Sequence, residues 1–296
     1  MLVHKEAIAL GLALGFLFRF LLLKIDYRQY PSYPHGMIAH LSLGFIAAFL
    51  GAVAIPALLA KEYTAVTFLA LAAQQFRDIR NLERQTLEKL DETELVPRGP
   101  DYIEGIARVF EGRNYLVMFV AMVTSSLTLW FNAGTGVLGG SLLGLILVRL
   151  RKGPTLKDIA VVRLGKVNFH GANLFVDDIL IMNVGLKDSR ELMMKHGVGV
   201  VIEPKNDDAR ATLANLGQRM AVTHEVATLL GVRKDIAEPE FTPLCRLNTA
   251  TGRAALFILP VEPDALLALE AVQKVPVLES AIRRPLRTEV GRRASD

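Results

Sequence analysis

The chain has 296 residues, 51% of them hydrophobic and only 22% charged, which is too apolar for an ordinary soluble domain. Its only cysteine, Cys245, excludes an intramolecular disulfide, and a lone thiol of this kind is most often a small buried residue. The net charge of +4 does not indicate nucleic acid, because the basic residues gather beside apolar runs, as membrane topology requires.

The first half of the chain contains the apolar runs. Residues 6–23, 37–60, 115–131 and 134–148 are predicted to cross roughly 30 Å of hydrocarbon. A further run, 63–76, is short for a span and continues into a charged helix. If it crosses, there are five spans with the N-terminus outside, and if it does not, there are four with the N-terminus inside. Residues 1–150 are therefore predicted to form an α-helical membrane domain of four or five transmembrane helices.

Basic residues indicate which side of the membrane the polar regions occupy. They follow the run 63–76 and the last span, and cytoplasmic segments carry such an excess: Arg77, Arg80, Arg84, Lys89, Arg149, Arg151 and Lys152. We therefore expect a cytoplasmic loop over 77–114 and a cytoplasmic C-terminal domain. This assignment holds for four spans and for five.

Small and polar residues within the apolar runs predict helix packing. Gly11 and Gly15 form one stripe and Gly136, Gly140 and Gly144 another, which favours packing within one chain and leaves a homo-oligomer as the alternative. Arg19, near the end of its span, is expected to extend its charge toward the interface. Four hydroxyl residues lie in one span and are expected to bond to their own backbone: Thr124, Ser125, Ser126 and Thr128.

The polar loop contains a repeated pattern, a bulky apolar residue followed by Glu and Gly. Asp101 is a candidate N-cap with Glu104 completing a capping box, so a short helix is predicted to begin there. Its apolar face contains Ile103, Ile106, Ala107 and Phe110. Its charged edge is a candidate binding surface for a partner or ligand, with two glycines allowing close backbone approach: Glu104, Gly105, Arg108, Glu111 and Gly112.

Tyr102 to Ala107 read YIEGIA, within GPDYIEGIARVFEGRNY. This hexamer between apolar runs resembles the signature of the YIEGIA family, a group of bacterial membrane proteins associated with endospore formation. The length and the division into an apolar and a polar half fit the resemblance over the whole chain. The resemblance implies a sporulation-linked integral protein of the bacterial cytoplasmic membrane, and it carries over no catalytic residue.

The polar half, predicted as an α/β domain over 151–285 with a disordered tail over 286–296, contains strand and helix patterns in the order βαββαβ. Strands are predicted over 196–204, 244–248, 254–261 and near 275–282, with a helix over 206–231 and another over 263–274. Thr251-Gly252 is a hairpin signal between the second and third strands. This order predicts a ferredoxin-like, α+β arrangement. Further β-rich segments precede it.

Titratable residues in this half do not form a recognised site. His170, His196 and the pair His224-Glu225 have no metal-ligand spacing, and no phosphate-binding glycine motif is present, so neither a metal nor a cofactor is predicted. Asp177-Asp178 is a candidate carboxylate pair, but adjacent residues of a strand face opposite ways, which favours a turn or cap.

Two functions from different classes follow. We expect a membrane-anchored regulatory or scaffolding protein that binds a protein partner or small ligand through its loop and cytoplasmic domain. The alternative is a membrane-embedded or membrane-tethered protease acting in sporulation, which would use span hydroxyls or carboxylates. Since no diagnostic catalytic motif is present, the sequence does not decide whether the chain is an enzyme. A transporter has the least support.

Overall fold

A computed structural model describes residues 4–26, 34–150, 153–235, 238–239 and 241–294. The chain divides into two compact units. The helical unit comprises residues up to 85 together with 106–152, and the α/β unit comprises 86–105 together with 153 onward. The long helices are α1 (Lys5–Asp26), α2 (Pro34–Leu59), α3 (Tyr63–Asp91), α4 (Pro100–Trp130) and α5 (Ala133–Leu150). Helices α3 and α4 therefore each contribute residues to both units.

Two described helices are long and apolar enough to cross a bilayer, judged by length and composition. They are Lys5–Leu23 within α1 and Gly36–Leu59 within α2, and Ala133–Arg149 of α5 is a shorter apolar helix. The apolar run 115–131 forms the C-terminal part of α4 up to Trp130, and 63–76 is the N-terminal part of α3. The structure thus confirms a helical first half that contains two candidate membrane spans.

Small residues allow close packing inside the helical unit. A Cβ built at Gly11 would lie 2.7 Å from the carbonyl oxygen of Ala121, and one built at Gly140 would lie 2.0 Å from Thr124 Oγ1. Both predicted stripes therefore face neighbouring helices of the same chain, as predicted for packing within one chain.

Arg19 does not extend toward an interface as expected, because it is completely buried between helices. Its Nε donates to the carbonyl oxygen of His40 at 3.3 Å, and its Nη2 lies 3.2 Å from His40 Nδ1. The guanidinium carbon also lies 5.9 Å from the ring centroid of Phe110. Gly44 creates the space, since a Cβ there would lie 2.1 Å from Arg19 Cγ. An arginine always donates, so His40 Nδ1 is the acceptor.

The predicted short helix and the apolar run that follows it form one continuous helix, α4. The capping box predicted at Asp101 is wrong, because α4 begins at Pro100 and the carbonyl of Gly99 accepts the N–H of Ile103 at 3.2 Å. Proline is favoured at the first helical position, where its missing N–H costs nothing. The predicted apolar face is confirmed, since its four residues are each at most 3% exposed: Ile103, Ile106, Ala107 and Phe110.

The α/β unit contains a four-stranded antiparallel sheet and a three-stranded meander. The strands are β1 (Ala160–Gly165), β2 (Val167–His170), β3 (Asn173–Val176), β4 (Ile179–Asn183), β5 (Val198–Pro204), β6 (Lys234–Asp235), β7 (Glu238–Pro239), β8 (Leu244–Leu247) and β9 (Ala254–Ile258). The larger sheet has the order β1-β5-β9-β8, and the meander has the order β2-β3-β4. Meander and sheet share one hydrophobic core, with Leu174 and Ile181 from the meander and Val201 and Phe257 from the sheet.

Helices complete this unit: α6 (Leu156–Ile159), α7 (Lys187–His196), α8 (Asp207–Leu213), α9 (Leu216–Leu230), α10 (Ala265–Lys274) and α11 (Glu289–Ala294). The α+β class is confirmed. The complete βαββαβ order is not formed, because the described residues after α10 contain no strand. Pro276 cannot donate a ladder hydrogen bond and forms only an isolated bridge with Thr155. The edge beside β5 is occupied by β1, which precedes the predicted motif.

The long helix predicted after β5 is two helices, α8 and α9, and an asparagine caps each of them. Asn206 accepts the N–H of Ala209 at 2.9 Å and caps α8, and Asn215 accepts the N–H of Gln218 at 2.9 Å and caps α9. The predicted stop at Gly231 is confirmed by its positive φ of 68°. Residues 286–294, predicted as a disordered tail, include part of the 3-10 turn Pro285–Arg287 and the short helix α11.

Candidate functional site

The turn between α3 and α4 is tied by Asp91, the last residue of α3. One carboxylate oxygen of Asp91 accepts the N–H of Arg98 at 2.8 Å, and the other accepts the N–H of Gly99 at 3.1 Å. Gly99 has a φ of +85°, and a Cβ there would lie 2.8 Å from Met220 Cε of α9. The backbone conformation therefore favours glycine at this position, where an added Cβ would displace the flexible end of the Met220 side chain.

His224 of α9 joins this turn to the rest of the α/β unit. Its Nδ1 lies 2.7 Å from the carbonyl oxygen of Val96, and its Nε2 accepts from Arg98 Nε at 3.1 Å. A carbonyl oxygen only accepts, and a guanidinium only donates, so Nδ1 carries the proton and Nε2 carries none. The imidazole is therefore neutral, and it is only 5% exposed. Both of its nitrogens are hydrogen bonded to the turn.

Tyr102, the first residue of the YIEGIA hexamer, makes the next contact with α9. Its hydroxyl donates a short hydrogen bond to Glu225, and its ring packs edge-on against His224 with the centroids 6.3 Å apart. Burial, and then the charge of Glu225, raise the pKa of Tyr102 well above its ordinary value. The Tyr102 hydroxyl therefore keeps its proton throughout the physiological pH range and is the donor of this hydrogen bond. We call Asp91, Val96, Arg98, Tyr102, His224 and Glu225 the Tyr102 cluster.

The start of α9 packs against the same segment. A Cβ built at Gly217 would lie 2.3 Å from Asp101 Oδ2, so the glycine allows the Asp101 side chain to approach the first turn of α9. Carboxylates are favoured at this end of a helix because backbone N–H groups there carry partial positive charge. The turn and the first four residues of the hexamer, up to Gly105, are thus part of the α/β unit through several independent contacts.

The predicted site residues all lie on α4, on both sides of the division between the two units. Glu104 and Gly105 lie in the α/β unit, whereas Arg108, Glu111 and Gly112 lie in the helical unit. Glu111 pairs with Arg80 of α3 at 3.0 Å and accepts from the hydroxyl of Tyr115 at 3.1 Å. Arg108 is exposed and Glu104 is half-buried. A Cβ built at Gly105 or at Gly112 would meet nothing within 4 Å, so neither glycine lies against another part of the described chain.

Sequence reasoning did not detect the pairing of Tyr102 with α9. The partners are separated by 123 residues, and neither His224 nor Glu225 belongs to a motif whose spacing identifies a partner. The signals that existed were separate: the hexamer itself, and an adjacent His-Glu pair on a helix.

The other candidate residues of the polar half, Asp177, Asp178 and Cys245, lie in a turn, an ion pair and the core. Asp177 has a φ of +53° in the turn between β3 and β4, as predicted for a turn. Burial acts against its charge, but the N–H of Lys166 and the guanidinium of Arg163 lower the pKa of Asp177 below its ordinary value. Asp178 pairs with Arg253 at 2.5 Å. Cys245 is buried, which confirms the prediction of a small buried residue, and burial raises the pKa of its thiol to about 12.

The four hydroxyls in the apolar part of α4 bond to backbone carbonyls, and three of them bond within their own helix, as predicted. The donor–acceptor distances are 2.7–2.9 Å for Thr124, Ser125, Ser126 and Thr128. Ser125 differs from the other three, because it donates to Ala52 of α2 and so links two helices. Among the described residues, no group of three or more His, Cys, Asp or Glu side chains is placed to hold a metal ion.

The fold and the cluster define a two-unit protein, in which a helical unit with two candidate membrane spans is joined through α3 and α4 to an α+β unit. The chain belongs to the YIEGIA protein family, whose model matches residues 7–288. It is 47% identical over 275 residues, 93% of each chain, to the protein named "Uncharacterized protein YphB" from Bacillus subtilis (strain 168). No solved structure matches this chain.

Proposed function

We propose that this protein is a membrane-anchored regulatory or scaffolding protein of endospore formation, which binds a protein partner or small ligand on the cytoplasmic side. Four or five helices would cross the bacterial cytoplasmic membrane, with the turn between α3 and α4 and the α/β unit in the cytoplasm. The family supports a shared role with its other members, and the apolar helices α1 and α2 support the membrane location.

The observation that carries the proposal is the Tyr102 cluster. Helices α3 and α4 leave the helical unit, and the turn between them is bonded to α9 through both nitrogens of His224 and through Glu225. Breaking a buried polar network is costly, because each separated group must find water or stay unpaired. A ligand that shifts α9 would therefore also shift the turn, which couples binding to two helices that belong partly to the helical unit.

A sporulation assay in the source bacterium tests this proposal. Tyr102→Phe removes the hydrogen bond to Glu225, and His224→Gln alters both hydrogen bonds of the imidazole to the turn. The proposal expects both variants to reduce spore formation at normal protein abundance. Glu279→Gln is the matched control, since Glu279 is exposed in the same unit and has no role in the cluster. Normal sporulation in both cluster variants, at wild-type abundance, would contradict the proposal.

The protease alternative makes a different prediction for the same cells. If the protein cleaves a substrate, a variant that has lost this cleavage should accumulate the uncut substrate. The same variant should still bind the partners of the protein. No observation on the described residues favours this alternative. Comparing protein fragments between wild-type and Ser125→Ala cells would detect such an activity.

A further inference from the structure

The last described segment of the chain is strongly basic. Residues 283–293 contain five arginines and one acid, Glu289, so their net charge of +4 equals that of the whole chain. The rest of the sequence therefore carries no net formal charge, and the net positive charge of the chain equals that of this segment. All five arginines are exposed: Arg283, Arg284, Arg287, Arg292 and Arg293.

Only part of this charge is neutralised by the chain itself. Arg293 pairs with Glu289, and Arg283 Nη1 donates to the carbonyl oxygens of Ser280 at 2.7 Å and Ile282 at 3.0 Å. Arg284 and Arg287 have no carboxylate within ion-pair distance among the described residues. Two exposed guanidinium groups are thus available to an external anion.

The segment has a defined backbone, unlike a solvated tail. The N–H of Leu286 donates to Asp208 Oδ1 at 3.0 Å, and the N–H of Arg283 donates to Thr212 Oγ1 at 3.3 Å, which holds the 3-10 turn against α8. A Cβ at Gly291 would lie 2.1 Å from the carbonyl oxygen of Pro285, so α11 folds back on that turn. The arginines consequently lie on a segment whose backbone is anchored to α8.

An apolar residue accompanies the charge. Val290 is 78% exposed, although its side chain is apolar. Basic residues with exposed apolar side chains between them are typical of segments that bind the surface of an anionic bilayer. The same chain carries two helices of membrane-spanning length and hydropathy, so such a surface is a chemically suitable partner.

We infer that residues 283–293 bind an anionic phospholipid surface, with Arg284 and Arg287 contacting headgroup phosphates and Val290 entering the interfacial layer. Guanidinium groups suit phosphate because they donate two parallel hydrogen bonds. Each basic residue near such a surface strengthens binding by about fivefold, so removal of two should weaken it by roughly 25-fold. This surface is separate from the Tyr102 cluster, and the inference does not depend on the proposed regulatory role.

The test uses the full-length chain in nanodiscs of neutral phosphatidylcholine. Vesicles of phosphatidylcholine alone, or mixed with phosphatidylglycerol, are added, and the fraction of protein that floats with them is measured. We expect flotation with the phosphatidylglycerol vesicles, lost at high salt and reduced about 25-fold in affinity by Arg284→Gln with Arg287→Gln. The matched control is Lys187→Gln with Lys195→Gln, which removes the same charge at exposed positions of α7.

Three outcomes would overturn the inference. The first is equal flotation with the two vesicle compositions, and the second is equal weakening by the control pair, which would show that net charge alone matters. The third is stronger binding of the segment to an added oligonucleotide than to the anionic vesicles, which would identify nucleic acid as the partner. Because Arg284 and Arg287 are exposed, both variants should fold, and equal hydrogen exchange in β5 and β9 would verify this.

Discussion

The Tyr102 cluster makes a quantitative prediction for Tyr102→Phe. The substitution keeps the ring, which is part of a side chain only 6% exposed, and removes the hydroxyl that donates to Glu225. A hydrogen bond to a charged group contributes about 1.5–3 kcal/mol. Glu225 is half-buried and regains some water contact when its donor is lost, so we expect destabilisation of about 2 kcal/mol. For a unit of this size the corresponding fall in Tm is roughly 4–8 °C.

Native-state hydrogen exchange in the full-length chain is the appropriate assay, because unfolding of a two-unit protein need not be two-state. The slowest amides of the central strands β5 and β9 report the free energy of unfolding of the α/β unit alone. Tyr102→Phe should reduce this free energy by about 2 kcal/mol. Glu225→Gln should also reduce it, and the double variant should lose less than the sum of the two, since they remove the same interaction.

The control for this double-mutant comparison is Glu279→Gln, which changes an exposed carboxylate of the same unit. It should change the free energy by no more than about 0.5 kcal/mol and should add to the effect of Tyr102→Phe. Strict additivity between Tyr102→Phe and Glu225→Gln would refute the reasoning, because two groups in direct contact must be coupled.

Three further predictions concern single positions. Gly105→Ala should stabilise α4 by up to about 1 kcal/mol, because the new methyl group meets nothing within 4 Å. Gly99→Ala should destabilise the turn, because it forces a side chain at φ +85° against Met220. Thermal unfolding compares the two variants, and a lower Tm for Gly105→Ala or a higher Tm for Gly99→Ala would contradict this prediction. Cys245 should resist alkylation at neutral pH until the α/β unit unfolds, since its pKa is about 12 and it is buried; mass spectrometry of thiol-labelled protein measures this. At pH values above the ordinary aspartate pKa, Asp177→Asn should lower the free energy of unfolding by about 1 kcal/mol. This difference should vanish as the pH falls through the lowered pKa of Asp177, because protonation then removes the same charge from the native chain. A difference that persists at low pH would contradict that account.

Local patterns predicted much of the fold. The apolar face of α4 and the runs that form β5 and β9 follow from hydrophobic spacing and length, which act between near neighbours. The hairpin between β8 and β9 follows from Gly252, whose φ is +71°. These features need only short-range information.

Other features required the tertiary structure. Asn215 begins a second helix because its side chain caps α9, although the surrounding sequence is helical in pattern throughout. Gly105 and Gly112 are tolerated inside α4, where glycine is locally unfavourable, because the helix buries the neighbouring apolar face. Strand β1 fills the edge position beside β5, where the predicted motif has its last strand. Hydrophobic periodicity does not show which of these two apolar segments pairs with β5.

The candidate site could be predicted only in part. The hexamer identifies the family, but the partner of Tyr102 depends on how the chain folds over more than a hundred residues. His224 and Glu225 have ordinary sequence surroundings, and their role arises from burial against the turn. Charged residues that looked like one surface, Glu104 and Glu111, belong to different compact units because the periodic pattern crosses the boundary between them.

The central claim is that the turn between α3 and α4 belongs structurally to the α/β unit. Hydrogen exchange of the Arg98 and Gly99 amides in the full-length wild-type chain tests it most directly, because both are bonded to the buried carboxylate of Asp91. The account predicts slow exchange of both amides, and a clear acceleration in His224→Gln while β5 and β9 stay protected. Rapid exchange of both amides in the wild-type chain, with β5 and β9 protected, would contradict it.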